Sequence, residues 1–87
     1  MLHNVFAVRD TKAEAFNTPF YLPTIAQAIR AFSDEASSQG SMIAKHPEDY
    51  VLFHLGTYDD ATARFDAFEA PKSLGLALDF LDRGQAV

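Results

Sequence analysis

Three histidines are the side chains best suited to metal binding. The chain has no cysteine, so a zinc site built from His3, His46 or His54 would need carboxylates as well. The segment His46-Pro47-Glu48-Asp49 is compact, but Pro47 interrupts the spacing that ligands on one helix require. A loop in which a carboxylate caps a turn is the simpler interpretation. We predict no metal site.

Paired carboxylates occur at Asp59 and Asp60, where acid–base chemistry is conceivable. A hairpin turn is the commoner use, because Asp side chains bond back to the amides of their own turn. The sequence contains no Ser-His-Asp motif, phosphate-binding glycine loop or dinucleotide fingerprint. Pro71-Lys72-Ser73 at a predicted helix start is better explained by capping through Ser73 than by anion binding. We predict a protein that is not an enzyme and needs no cofactor.

Length and composition indicate one folded domain over residues 1–87. The chain is 48% hydrophobic and 22% charged, too apolar for a disordered protein. It begins without the basic and apolar regions of a signal peptide, and no apolar run approaches the roughly 20 residues of a membrane span. We therefore expect a soluble protein without membrane contact, and the lack of cysteine fits a reducing cytoplasm.

Hydrophobic periodicity predicts the order ββαββα. Strands are predicted over residues 2–9, 16–22, 50–58 and 62–68, with Pro19 at an edge or bulge. Thr24 and Gln27 have the spacing of a capping box at the start of the first helix, and Gly40 is expected to close that helix. The predicted apolar stripe of this helix consists of Ile25, Ala28, Ile29, Phe32 and Ala36. The last helix is predicted to start at Pro71 and Ser73, to bury Leu74, Ala77, Leu78 and Leu81, and to end at Gly84 before a short tail.

These elements predict an α+β fold, a four-stranded antiparallel sheet with two helices on one face. We expect Val51, Phe53 and Leu55 to pack under the helices. The other face would then carry aromatic and apolar side chains, an arrangement that commonly marks a binding surface. Its expected members are Tyr21, Tyr50, Leu52, His54 and Tyr58.

Two uses of such a face remain open. In one, two copies pair through it as a homodimer or it meets another protein. In the other, bases of single-stranded nucleic acid stack on the tyrosines while cations meet the backbone. Arg9, Lys12 and Arg64 are the candidate cations, expected near one hairpin end. The net charge of −5 opposes the second use, because phosphate binding gains only where cations gather.

Three stretches of the chain together resemble a known family. They are VFAVRDTKAEAFNTPFYLPTIAQAIRAF, KHPEDYVLFHLGTYDDATARFD and APKSLGLALDFL, of which HPEDYVLFHLGTYDD is the most specific. They resemble the nonstructural protein of gokushovirus-type microviruses, phages with circular single-stranded DNA. The resemblance spans Val5 to about Leu81.

The resemblance implies a protein of the bacterial host cytoplasm that is absent from the mature virion. It implies a role, commonly described as DNA-binding, in genome replication or in single-stranded DNA synthesis and packaging. The leading hypothesis is therefore a non-catalytic, homodimeric phage protein that binds single-stranded DNA. Its binding residues would be Tyr21, Tyr50, Tyr58, Arg9, Lys12 and Arg64. The rival is a protein-interaction module that recruits or regulates a viral or host replication factor without touching DNA.

Overall fold

The computed structural model describes residues 1–85, with side chains as far as residue 81. The short tail expected at the end of the chain lies outside the described residues from residue 86 onward. The strands are β1 Leu2–Asp10, β2 Ala15–Phe16, β3 Phe20–Leu22, β4 Tyr50–Asp59 and β5 Arg64–Leu76. The helices are α1 Ile25–Ala36, α2 Met42–Lys45 and α3 Ala77–Gln85, with a 3-10 turn at Pro47–Asp49.

All pairings in the sheet are antiparallel. β1 pairs with β4 on one side and with β2 and β3 on the other, and β4 also pairs with β5. The α+β class and the antiparallel sheet are thus confirmed. The predicted order is only approximate. The second strand is broken into β2 and β3 near Pro19, and α2 was not predicted, whereas the 3-10 turn lies where a loop with a turn was expected.

Helix α1 begins as its sequence predicts. The Thr24 hydroxyl oxygen accepts a hydrogen bond from the Gln27 amide at 3.1 Å, which satisfies one of the unpaired donors of the first turn. Ala28, Phe32 and Ala36 are buried. The helix ends at Ala36, short of Gly40, whose φ of +90° instead serves the turn that leads to α2.

Helix α3 starts later than predicted. Residues from Pro71 to Leu76 continue β5, where Ser73 pairs with Phe53 and Gly75 with Leu52. The helix begins at Ala77, and the Leu76 amide donates to the Asp79 carboxylate at 3.2 Å. It includes Gly84, which was expected to end it. Pairing with β4 therefore outweighs the local helix-start signal.

The core lies between the helices and one face of the sheet, here called the helix side. Its buried hydrophobic cluster consists of Phe6, Val8, Ala28, Phe32, Ala36, Tyr50, Leu52, Ala77 and Phe80. The predicted assignment of faces in β4 is therefore wrong. Leu52 is fully buried and Tyr50 is only 7% exposed, whereas Val51 and Phe53 occupy the alternate positions on the opposite face.

A bulge at Leu55 changes which residues share a face along β4. Val5 pairs with Gly56 and Phe6 with His54, so Leu55 is extra. An extra residue shifts the alternation of side chains beyond it. Tyr50 and Tyr58 share parity in the sequence, yet they lie on opposite faces of the sheet.

Candidate functional site

The face of the sheet opposite the helices, here called the open face, carries most of the exposed aromatic side chains of the strands. Register and alternation place side chains from all five strands on it, ten of them between residues 3 and 65. They are His3, Val5, Ala7, Arg9, Phe16, Tyr21, Val51, Phe53, Tyr58 and Phe65. Unlike the helix side, this face has no covering layer among the described elements.

Three rings from three strands form an aromatic patch, defined as Tyr21, Tyr58 and Phe65. The ring centroids of Tyr58 and Phe65 lie 4.7 Å apart, and those of Tyr21 and Tyr58 lie 5.8 Å apart. Tyr21 is 45% exposed and Phe65 60% exposed. Rings held by paired strands lose little further freedom on binding, so the patch is a preorganised apolar surface.

Two clefts adjoin the aromatic patch and share the Tyr21 and Phe65 side chains. The first, of about 420 Å³, lies beside His3 and Tyr58 at the β4–β5 turn. The second, of about 220 Å³, extends over the middle of the sheet toward Pro19 and Leu55. The first cleft therefore has hydrogen-bonding side chains, whereas the second is mostly apolar.

His3 is held in place at the rim of the first cleft. Its Nε2 lies 2.8 Å from the Asp60 carboxylate, and its ring centroid is 6.3 Å from that of Tyr58. Asp60 also accepts a hydrogen bond from the amine of Met1 at 2.8 Å. That bond, followed by the one to His3, lowers the pKa of Asp60 below 3.8. The Asp60 carboxylate is thus occupied by cationic or hydrogen-bonding partners.

The predicted turn at Asp59 and Asp60 is confirmed. The Asp59 carboxylate accepts a hydrogen bond from the Ala61 amide at 3.0 Å, which is the local bonding that Asp favours in turns. Asp60 departs from the expectation by bonding to β1 instead. The arrangement ties the β4–β5 turn to the start of β1.

A second aromatic group lies at the other end of the open face. The Arg9 guanidinium sits over the Phe16 ring at 5.4 Å from its centroid. Phe16 meets Phe53 edge to face at 5.3 Å. Val5 and Ala7, between the two groups, are almost fully buried. Apolar and aromatic side chains therefore continue along the length of β1.

Charge is distributed unevenly between the two faces. Among the described open-face positions of β1 and β4, no carboxylate occurs, and the basic side chains are His3 and Arg9. Asp10 and Asp59 occupy alternate positions, which point away from the open face. Asp66 likewise alternates with Phe65, and it faces Arg64 at 3.9 Å. Asp10, Asp59 and Asp66 thus point away from the aromatic surface, and Asp60 meets its rim at His3.

The predicted cations do not gather at one end. In the strand register Arg64 lies opposite Asp59, and Asp59 lies opposite Leu2 at the start of β1. Arg9 lies seven residues further along β1 than Leu2, a distance of about 23 Å at the usual rise of a strand. Lys12 follows β1 in the turn at the Arg9 end, where its amide donates to the Asp10 carboxylate. The expectation of one cationic hairpin end is therefore wrong.

The predicted tyrosines also separate into two groups. Tyr21 and Tyr58 meet in the aromatic patch, as the open-face hypothesis requires. Tyr50 lies in the core, where burial, followed by the nearby Asp10 carboxylate, raises its pKa above 10.0. Phe65 was not predicted as a site residue. The alternation of Phe65 and Ala67 in β5 is the sequence signal that could have identified it.

His54 belongs to the helix side rather than to the open face. Its ring stacks on Phe6 at 4.9 Å and meets Phe68 edge to face at 4.7 Å. Its Nε2 bonds to the Asn4 side-chain oxygen at 3.0 Å. Burial lowers the pKa of His54 below 6.5, and the nearby Lys72 ammonium lowers it further. A buried histidine packed in this way has a structural role.

One group of side chains has the donor types of a metal site. Ligand atoms of His46, Glu48 and Asp49 all lie within 4.8 Å of one another around the 3-10 turn. His46 and Glu48 are exposed, and Asp49 is half-buried. The turn also joins β1, because the Thr11 amide and hydroxyl donate to the Asp49 carbonyl. The expectation of no metal at this segment stays a prediction.

None of the described helices is long and apolar enough to cross a membrane.

Comparison with known proteins supplies the family. No curated protein and no solved structure matches the chain. A family model described as "Phage ORF5 protein" matches residues 3–80, which include the strands, apart from the first residue of β1, and the first part of α3. The chain therefore belongs to the Phage ORF5 protein family.

Proposed function

We propose that this phage protein binds single-stranded DNA without catalysis, through the open face, and so assists genome replication or single-stranded DNA synthesis and packaging. The nonstructural proteins of gokushovirus-type microviruses, which the sequence resembles, suggest this role and a place in the host cytoplasm outside the virion. The observation that carries the proposal is the aromatic patch, in which Tyr21, Tyr58 and Phe65 meet on an uncovered sheet face.

Base stacking on sheet aromatics suits this geometry. Every base has a π-face, so exposed rings on a rigid sheet bind unpaired bases with little dependence on sequence. Duplex DNA hides its bases in the stack, so the patch favours single strands over duplexes. The second aromatic group, with Arg9 over Phe16, extends the same surface and supplies a cation for the backbone.

The acidic composition is less of an obstacle than the net charge suggests. Asp10 and Asp59 alternate with the open-face residues, and Asp60 is paired with His3 and the Met1 amine. The repulsion felt by a strand on the open face is therefore smaller than a net charge of −5 spread evenly would give. With few cations at the surface, we expect modest affinity and a shallow dependence on salt.

The test is a titration of a fluorescein-labelled oligothymidylate, followed by anisotropy at low and at moderate salt. Phe65→Ala removes a 60% exposed ring, so it should weaken binding about 5- to 150-fold, the range for one stacked base. Phe65→Tyr keeps a ring and should keep the affinity. Met42→Ala, which removes another exposed apolar side chain far from the open face, is the matched control.

Binding that is unchanged in Phe65→Ala would contradict the proposal, as would the absence of binding by the wild-type protein. Equal binding of duplex and single-stranded DNA would contradict the stacking mode. Tyr58 is a poorer first choice for substitution, because it is only half-exposed and pairs with β1 and β5.

A protein partner is the second candidate for the same surface. The two edge strands of the sheet are poorly suited to pairing with a strand of another protein, which favours contact through the open face. β3 is short and follows Pro19, while β5 carries Glu69, Pro71 and Lys72 along its outer edge. Charges and proline on edge strands oppose pairing with another strand. A homodimer or a replication factor would therefore use the open face. Light scattering with and without oligothymidylate distinguishes the two, since a dimer built on this face should dissociate when DNA binds.

A further inference from the structure

The two clefts beside the aromatic patch differ in chemistry although they share a wall. Tyr21 and Phe65, with ring centroids 6.4 Å apart, border both clefts. The first cleft also has His3 and the Tyr58 side chain. The second is bordered by Val5, Pro19 and Leu55. One cleft therefore offers polar groups beside its rings, and the other offers mainly apolar contact.

We infer that the open face holds two successive unpaired nucleobases, one in each cleft, and that His3 discriminates among bases in the first cleft. This inference rests on the proposed binding of single-stranded DNA. Clefts of about 420 Å³ and 220 Å³ each have room for one planar base. The shared wall of Tyr21 and Phe65 lies between the two bases and contacts both.

The hydrogen bonding of His3 determines what its ring presents. Its Nε2 lies 2.8 Å from the Asp60 carboxylate, and an ionised carboxylate only accepts hydrogen bonds. The Nε2 atom therefore carries the proton, and Nδ1 is the acceptor of the neutral ring. Asp60 is itself fixed by the Met1 amine, so the tautomer and ring orientation of His3 are set before DNA binds.

The polar cleft can distinguish bases because their edges differ in donors and acceptors. The Nδ1 atom of His3, with the hydroxyl of Tyr21 or Tyr58, provides groups for an unpaired edge. The second cleft shares Tyr21 but has no counterpart of His3; its other polar side chains, Thr57 and Asp66, belong to strand positions that face the helix side. We therefore expect base preference at one position of a dinucleotide step and tolerance at the other.

The first experiment measures length dependence by competition with the labelled oligothymidylate. Unlabelled oligothymidylates of increasing length compete for the full-length wild-type protein. Addition of the second nucleotide should strengthen binding about 5- to 150-fold, and addition of the third should give a smaller gain. An equal gain at every added nucleotide, or no gain from the second, would overturn the two-base arrangement.

The second experiment measures base preference with dinucleotides in which one base is varied and the other is thymine. We expect a spread of about fivefold among bases at one position, the factor that one net hydrogen bond provides, and little spread at the other. His3→Phe keeps a ring beside Tyr58 but removes both nitrogens, so it should abolish the spread. His46→Ala, at an exposed histidine of the 3-10 turn, should leave the spread intact.

The outcomes separate this inference from the proposed function. If the wild-type protein binds the labelled oligothymidylate and Phe65→Ala weakens binding, but His3→Phe keeps the wild-type base preference, the role of His3 is wrong and the proposed function stands. If the wild-type protein does not bind the labelled strand, both fail. Circular dichroism of His3→Phe should match the wild-type spectrum. Phe65→Ala, at a more exposed position, tests the binding surface without changing His3.

Discussion

Replacement of Gly56 by alanine should destabilise the sheet directly beneath the aromatic patch. Gly56 pairs with Val5 on one side and with Ala67 on the other. A Cβ atom at this position would lie 2.1 Å from the Asp66 carbonyl oxygen and 2.9 Å from the Ala67 Cα. Neither atom belongs to a flexible side chain, so the backbone of β4 or β5 must move.

The size of the effect follows from what that movement disrupts. Overpacking of a tight site costs about 1–3 kcal/mol. If roughly two hydrogen bonds between β4 and β5 are disturbed, they add about 1 kcal/mol each. We therefore expect Gly56→Ala to lower the free energy of unfolding by about 3–5 kcal/mol, most of the roughly 5 kcal/mol expected for a domain of this size.

Urea unfolding followed by circular dichroism measures this loss, and Gly40→Ala is the matched control. Gly40 has a φ of +90°, but an added Cβ there would have no atom within 4 Å. Gly40→Ala should lower the free energy of unfolding only by the cost of a left-handed conformation, about 1–2 kcal/mol. Equal losses in the two variants, or a loss below about 1 kcal/mol for Gly56→Ala, would refute the close approach of β4 and β5.

Three further predictions concern the core, the helix cap and pH. Leu52→Ala, at a fully buried site, should lose about 2–5 kcal/mol in urea unfolding, whereas Leu78→Ala at a 39% exposed site should change stability little; similar losses would contradict the position of the core. Thr24→Ala removes the hydrogen bond from the Gln27 amide and should cost about 1 kcal/mol; an unchanged urea midpoint would argue against the cap. Burial lowers the pKa of His54 below 6.5. As pH falls through 6.5, this histidine takes up a proton more readily in the unfolded chain than in the folded protein, so the melting temperature should fall with pH. The His54→Phe variant, which lacks the buried histidine, should show a weaker fall, and a wild-type melting temperature that rises on acidification would contradict this.

The sequence was a good guide where a signal is local. The N-cap at Thr24 and the turn at Asp59 depend on side chains that bond within three residues, so composition and spacing reveal them. Pro19 marks the break in the second strand for a similar reason, because proline cannot donate to a ladder. The α+β class followed from strand and helix periods that are both clear.

The faces of β4 depended on interactions distant in sequence. Both sets of alternating residues in this strand are apolar, so alternation alone does not identify the buried set. The bulge at Leu55 arises from the pairing of β4 with β1 and β5, and its local mark is Gly56, a glycine inside a strand. As a result Tyr50 is in the core while Tyr58 joins the aromatic patch. The start of α3 was missed for a related reason, since pairing with β4 extends β5 past Ser73.

The central claim, that unpaired bases stack on the open face, is tested most directly by nuclear magnetic resonance of the aromatic side chains during titration with oligothymidylate. Stacked bases shift the ring protons that they cover. We predict shifts for the rings of Tyr21, Tyr58 and Phe65, and unchanged signals for the buried rings of Phe6 and Phe32. Shifts confined to α1 and α3, or the absence of shifts in the aromatic patch at saturating DNA, would contradict the claim.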